Sequence, residues 1–125
     1  RYVYCFDGDG AALMHLGALA IIGQSNSKKF IHVLFNNGVH DSVGGQPTVG
    51  LKIDFCDIAL ACGYESSSKV RTLKQLKSAI GISKKNNGPH FIEVLVNSGS
   101  RKDLGRPTSS PKDNKISIMN YLKKL

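Results

Sequence analysis

Two runs of the chain, residues 30–35 (FIHVLF) and 90–96 (HFIEVLV), are almost continuously apolar. A strand with one wet face alternates apolar and polar side chains, so runs like these belong to strands covered on both sides. Parallel neighbours need crossover connections, and helical crossovers supply that cover. The rest of the chain fits this frame. Residues 2–6 form a short aromatic and β-branched run that ends in the turn cluster Asp7-Gly8-Asp9-Gly10. Residues 11–22 are apolar almost all round, which predicts one helix buried on several faces, with Gly23 as its C-cap and His15 as a core histidine. Residues 54–62 place Phe55, Ile58, Ala59 and Cys62 at helical spacing before Gly63. Residues 64–69 read as a short edge strand. Thr72 and Gln75 fit a capping box for a helix through Ile80, with Leu73, Leu76 and Ile80 on one face. Residues 98–114 are rich in Gly, Pro, Ser and Lys and read as a loop, and 116–125 as an amphipathic helix. The expected fold is α/β, a parallel sheet with helices on both faces. Residues 1–98 form the domain, and 99–125 form a basic loop and a C-terminal helix packing on it.

With 125 residues, 41% of them hydrophobic, the chain has about one domain's length. Its longest nearly apolar stretch, residues 11–23, is interrupted by His15 and falls short of the roughly 20 residues that span a bilayer. Arg1 leads directly into a strand-like run with no leader pattern and no initiator methionine, so a processed chain or a piece of a longer one is expected. Cys5, Cys56 and Cys62 form no CxxC pair and read as reduced thiols of a cytoplasmic protein. The net charge of +8 is uneven. Residues 1–62 carry four Lys/Arg against five Asp, and residues 63–125 carry thirteen Lys/Arg against four Asp/Glu. Such asymmetry points to a nucleic acid, an acidic surface or an anionic ligand, and composition alone does not choose among them.

The first strand runs directly into Gly8-Asp9-Gly10 and then a helix. In open parallel sheets, ligands bind outside the carboxyl ends of the strands. Free N–H groups at a helix start suit phosphate, and Gly8 and Gly10 let a ligand approach the backbone closely. Twenty-five residues separate Gly10 from Asn36-Asn37-Gly38, at the end of the next strand. One right-handed crossover puts both strand ends on the same edge. A carboxylate and an amide oxygen beside a phosphate site is how Mg²⁺ is usually held. Read alone, Asp9 serves equally as an N-cap, and Asn36-Asn37-Gly38 as ordinary turn residues. A second pair, Asn86-Asn87 before Gly88-Pro89, reads as a plain loop.

Gly8-Asp9-Gly10, the 25-residue spacer and Asn36-Asn37 resemble the motif of the thiamine diphosphate-dependent enzyme family. Residues 54–63 and 88–94 resemble later segments of the same C-terminal, diphosphate-binding domain, and the order holds from about residue 3 to residue 97. The resemblance implies a thiamine diphosphate and Mg²⁺ site. In it, Asp9, the Asn37 side chain and the Val39 main-chain carbonyl bind the metal, Gly10 and Ala11 donate N–H groups to the diphosphate, and Gly8 lines the cradle. Residues 38–48 and 101–108 are similar to the phosphonopyruvate decarboxylases, and the sulfopyruvate decarboxylases share a close version of the first stretch. The implied reaction converts 3-phosphonopyruvate to phosphonoacetaldehyde and CO₂. The family also implies an upstream portion that this sequence does not include, making the fold N-terminally incomplete, and a pyrimidine-binding domain whose Glu activates the cofactor. Glu65 and Glu93 lie in the wrong segments to replace that Glu, so a partner domain or subunit and a homo- or hetero-oligomer are expected.

The loop 38–50 is longer than most connections, and such loops are often functional. His40 is its candidate catalytic residue, since histidine exchanges protons near neutral pH, and packing within the loop is its other reading. Ser42 and Gln46 are candidate substrate contacts, with Thr48 nearby. Arg101, Lys102 and Arg106 follow a strand end, and a guanidinium fork suits a phosphonate or carboxylate; a solvated basic loop is the alternative. His32 and His90 show no metal-ligand spacing. Among rival functions, a basic nucleic-acid-binding domain lacks a zinc-finger, KH or RNP motif, and a catalytically silent fragment would keep the fold alone.

Overall fold

The computed structural model describes residues 1–124. In chain order the elements are β1 (Val3–Gly8), α1 (Asp9–Met14), α2 (Gly17–Gly23), β2 (Phe30–Asn36), β3 (Val39–His40), β4 (Gln46–Pro47), α3 (Phe55–Ala61), β5 (Ser66–Val70), α4 (Leu73–Ser83), β6 (His90–Leu95) and α5 (Pro111–Leu122). The main sheet has the order β1-β2-β6-β5 and is parallel throughout. The two apolar runs, β2 and β6, are its central strands. Their side chains feed two cores. On one face Leu34 and Phe91 pack with Ala12, Leu19, Phe55, Ala59 and Tyr64. On the other, Ile31, Val33, Val70, Ile92 and Val94 pack against Leu76, Ala79 and Ile80 of α4. Fully burying a side chain such as Phe55 or Ile31 contributes about 1.5–3 kcal/mol, so these two layers hold the sheet closed.

Local chemistry sets the helix ends. Thr72 and Gln75 close the capping box, with Gln75 N–H donating to Thr72 Oγ1 at 3.2 Å and Thr72 N–H to Gln75 Oε1 at 3.0 Å. Asp54 caps α3 by accepting from the Cys56 and Asp57 amides. β5 is an edge strand, with Tyr64 already in the core ahead of it.

Four readings change. The apolar stretch 11–22 is two short helices, broken where His15 leaves helical geometry at φ −130°, ψ 43°. α1 carries Asp9 against the 38–50 loop, whereas α2 lies on α3 so closely that a Cβ on Gly23 would strike the Cys62 carbonyl. His15 at the break is exposed rather than a core residue, and Met14 and Ile21 face solvent. The last helix starts at Pro111, inside the expected loop, because Ser110 caps it through the Asp113 amide and proline is tolerated at the first position. Rather than packing broadly on the sheet domain, α5 buries no residue; Arg1 meets it, donating to Tyr121 Oη at 2.7 Å. No helix among the described residues is long and apolar enough to cross a membrane.

His32 is the buried polar residue of the first core layer. Its Nδ1 lies 3.0 Å from Tyr64 Oη, and its ring packs edge-on to Phe91. Nε2 lies 3.4 Å from Asp7 Oδ2, a charge contact without hydrogen-bond geometry. Burial pulls the imidazole below the ordinary histidine value, against the opposing pull of Asp7. In the unfolded chain this ring takes up a proton near pH 6.5, whereas in the fold it resists to lower pH, so acid favours unfolding. Stability measured by urea titration should therefore fall as pH drops below about 6.5, and His32→Gln should flatten that slope.

Candidate functional site

The parallel register sets Gly8 opposite Phe35 and Asn36 opposite Leu95. β1, β2 and β6 therefore deliver their carboxyl ends to one edge. A cleft of about 380 Å³ opens there. Gly8, Asp9, Gly10 and Ala11 line one side; Asn37, Val39, His40 and Ser42 line the other, with Phe35 and Asp41. The expected cofactor residues, the candidate catalytic histidine and one candidate substrate contact thus share one cleft. Asn86-Asn87 lies before β6, at the opposite, amino edge of the sheet.

Asp9 opens α1 directly after extended Gly8 and is 2% exposed. Its carboxylate does not cap the helix; Oδ2 accepts the hydroxyl of Thr48. Thr48 Oγ1 in turn accepts from the Gly50 amide at 3.1 Å. Gly50 needs the absence of a side chain, because a Cβ there would lie 2.5 Å from Asp9 Oδ2 and 3.0 Å from Asn36 Oδ1. Asn37 is held at both ends of its amide. Nδ2 donates to Asp41 Oδ2 at 2.7 Å, and Oδ1 accepts from the Val39 amide at 3.1 Å. The His40 ring lies against Gly10, where any Cβ would strike it, so glycine lets the imidazole rest on the first turn of α1.

Below this surface lies a polar layer. Asn36, fully buried, donates through Nδ2 to Glu93 Oε1 at 2.7 Å and to the Gly50 carbonyl at 2.8 Å. Its Oδ1 accepts from the Gly38 amide at 3.1 Å. Glu93, 1% exposed, turns Oε2 to Lys69 Nζ at 3.2 Å. Lys69 also reaches Asp54 Oδ2 at 3.0 Å, and the hydrogen bond to Asp54 and then that to Glu93 hold its ammonium above the ordinary lysine range. For stability the Glu93 arm matters more. Exposed pairs contribute about 0–1 kcal/mol, whereas loss of the cation beside buried Glu93 leaves a carboxylate charge out of water without its partner. Asp54, Cys56 and Glu93 bring ligand atoms within 4.8 Å of one another. The Lys69 ammonium already pairs with both carboxylates of that group. Burial first, then the Glu93 charge, pushes the Cys56 thiol up to about 11, which disfavours a thiolate ligand.

The remaining expected residues lie elsewhere. Gln46 is exposed on β4, opposite His40, and its amide covers Gly44. Arg101, Lys102 and Arg106 line a separate exposed depression of about 400 Å³, and Arg101 Nε pairs with Asp103 Oδ1 at 3.4 Å. The basic loop is nevertheless tied to the cleft wall, since the Gly99 amide donates to Asp41 Oδ2 at 2.8 Å. Sequence reading placed Asn36 in the motif without giving it a role and missed Asp41 and Gly50 as parts of the site. The one signal for Asp41 was its place in the polar loop beside His40 and Ser42; nothing in the sequence marked the burial of Asn36 or the crowding at Gly50.

Residues 1–94 match the sequence family described as "Thiamine pyrophosphate enzyme, C-terminal TPP binding domain". The chain belongs to that family. It is 38% identical over 111 residues to the phosphonopyruvate decarboxylase of Streptomyces viridochromogenes, a match spanning 89% of this chain and 28% of that protein. It is 31% identical over 122 residues to the sulfopyruvate decarboxylase subunit beta of Methanococcus maripaludis, covering 98% of this chain and 65% of the subunit. The thiamine diphosphate-dependent 4-hydroxybenzoylformate decarboxylase of Rhodococcus jostii shares the fold, with a TM-score of 0.65 at 23% identity over 81% of this chain and 21% of that one. The chain thus spans a little over a quarter of the length of the Streptomyces enzyme.

The crowding at Asp9 gives a contrast in stability. Gly50→Ala should lower the unfolding free energy by about 1–3 kcal/mol, because the new methyl has to displace Asp9 or Asn36. Gly8→Ala, whose methyl meets open space, should change it by less than about 0.5 kcal/mol in the same urea titration.

Proposed function

We propose that this chain is the diphosphate- and Mg²⁺-binding portion of a thiamine diphosphate-dependent 2-oxo acid decarboxylase, acting on 3-phosphonopyruvate to give phosphonoacetaldehyde and CO₂. The observation that carries this reading is the meeting of Asp9, Asn37 and Val39 with Gly8, Gly10 and Ala11 in one cleft. The donor set fits the groups concerned. A carboxylate, an amide oxygen and a main-chain carbonyl are hard oxygen ligands of the kind Mg²⁺ takes together with phosphate oxygens. Asp9 and Asn37 would hold the ion with the Val39 carbonyl, and the Gly10 and Ala11 amides would meet the diphosphate. When bound, thiamine diphosphate supplies the electron sink for the pair released with CO₂.

The chain's own residues bind and orient. Asp41 and the Val39 amide hold the Asn37 side chain in register, and Thr48 holds Asp9. His40 lines the cleft, and its imidazole would deliver a proton to the carbon that loses CO₂. Ser42 contacts substrate from the cleft wall, whereas Gln46, Arg101, Lys102 and Arg106 lie outside the cleft and would meet the substrate's anionic end from the loops that border it, the basic one tied to Asp41 through Gly99. Residues 1–98 carry the site and 99–125 supply the basic arm. Activity also needs a pyrimidine-binding domain or subunit with the activating Glu, in a homo- or hetero-oligomer. The three free thiols support a cytoplasmic location. Coverage of 65% of a relative named as a subunit favours a second reading, a subunit of a sulfopyruvate decarboxylase.

Asp9→Ala should abolish Mg²⁺-dependent binding of thiamine diphosphate in calorimetry, and unchanged binding would overturn the assignment. Assays with phosphonopyruvate, sulfopyruvate and pyruvate, with and without the partner domain, should show turnover only with the partner and preference for phosphonopyruvate. Arg101→Ala and Arg106→Ala should raise KM for that substrate about tenfold or more, as loss of a charge-assisted hydrogen bond of about 1.5–3 kcal/mol requires; wild-type kcat and KM in both would remove their role.

A further inference from the structure

The cofactor reading leaves one buried carboxylate without a role. Glu93 points from the central strand β6 into the polar layer beneath the cleft, with 1% of its surface exposed. We propose that Glu93 is a positioning residue for the metal edge, acting through Asn36 and not by touching metal, cofactor or substrate. The inference rests on the Mg²⁺ site proposed above for its functional half and on hydrogen-bond geometry alone for its structural half.

The geometry is a chain of donors and acceptors. Glu93 Oε1 accepts one proton of Asn36 Nδ2 at 2.7 Å, and Gly50 O accepts the other at 2.8 Å. This fixes which end of the amide is nitrogen. Asn36 Oδ1 then faces the Gly38 amide at 3.1 Å. One side chain therefore grips both ends of the 38–50 loop, and Glu93 anchors that side chain to the central sheet. The loop carries Val39, His40 and Ser42 to the cleft, and its closing residues Thr48 and Gly50 hold Asp9 in place. A link between Gly38 O and the Thr48 amide at 2.8 Å makes the two arms move together. On its far side Glu93 Oε2 takes the Lys69 ammonium at 3.2 Å, which compensates the charge in a site closed to water. Partners that orient metal ligands without touching the ion commonly change affinity by about 10–100-fold when removed.

Glu93→Ala removes one of the two acceptors of Asn36 Nδ2 and its tie to the sheet, leaving only the loop's own Gly50 carbonyl and Gly38 amide to hold the side chain. Glu93→Gln keeps the shape and one acceptor oxygen, but sets an NH₂ group against Lys69. Ile92→Val loosens the same strand from its opposite face and leaves Asn36 untouched. Two readouts separate positioning from general loosening: amide hydrogen exchange at Gly38 and Thr48 in the free 125-residue chain, and Mg²⁺ affinity by calorimetry at saturating thiamine diphosphate. Glu93→Ala should speed exchange at both amides at least tenfold and weaken Mg²⁺ binding about 10–100-fold. Glu93→Gln should move both in the same direction by less, which preserves the test if the alanine variant does not fold. Ile92→Val should lower the melting temperature with both readouts unchanged. Wild-type exchange at Gly38 and Thr48 in the Glu93 variants, or equal losses in Ile92→Val, would overturn the positioning role. If the wild-type chain binds neither Mg²⁺ nor thiamine diphosphate, the cofactor reading falls and takes the metal half of this inference with it. The exchange data then decide whether Glu93 pins the loop.

Discussion

Parallel pairing is the constraint on which the rest of the structure depends. Because β1, β2 and β6 run in the same direction, Gly8, Asn36 and Leu95 end at one edge. Each parallel step also requires a crossover, and the crossovers supply the helices that cover both faces. The same arrangement that makes FIHVLF and HFIEVLV favourable as central strands therefore assembles Asp9 and Asn37 from positions 28 residues apart. An antiparallel hairpin of the same two strands would have sent them to opposite ends.

Beneath that edge the sheet face changes character. Leu34 and Phe91 are followed, two residues on, by Asn36 and Glu93, so the apolar layer gives way to a polar one as the strands approach the cleft. Buried polar groups are tolerated only when paired. The requirement reaches outward: Asn36 captures the ends of the 38–50 loop, Gly50 has to be a glycine, Thr48 meets Asp9, and Lys69 is drawn over Glu93. The shape of the cleft thus follows from the need to satisfy a few buried donors and acceptors.

The strongly basic second half of the chain is partly explained. Lys69 is bound to the buried Glu93, and Arg101, Lys102 and Arg106 gather around one depression near a loop anchored on Asp41. The lysines of α4 and α5 are exposed and, among the described residues, make no contact that distinguishes them from a solvated surface.

Much of this was legible in the order of residues. Alternating apolar runs and helical spacings identified the parallel α/β class, and the Thr72–Gln75 box was visible because capping is a contact between near neighbours. Gly8-Asp9-Gly10 and Asn36-Asn37 could be matched because their spacing is itself a property of the sequence. The break at His15, the exposure of that residue and the early start of α5 escaped it, since each depends on what the segment packs against or on a cap hidden in a Ser-Pro step. Local sequence determines element type, strand direction and the candidates for the edge. Only the tertiary structure decided that Asn36 is buried as a clamp beneath the cleft-facing Asn37, which carboxylates take Lys69, and which basic residues lie apart from Asp9. Those choices turn on burial and on distances between segments far apart in the chain, and two adjacent asparagines carry no record of either.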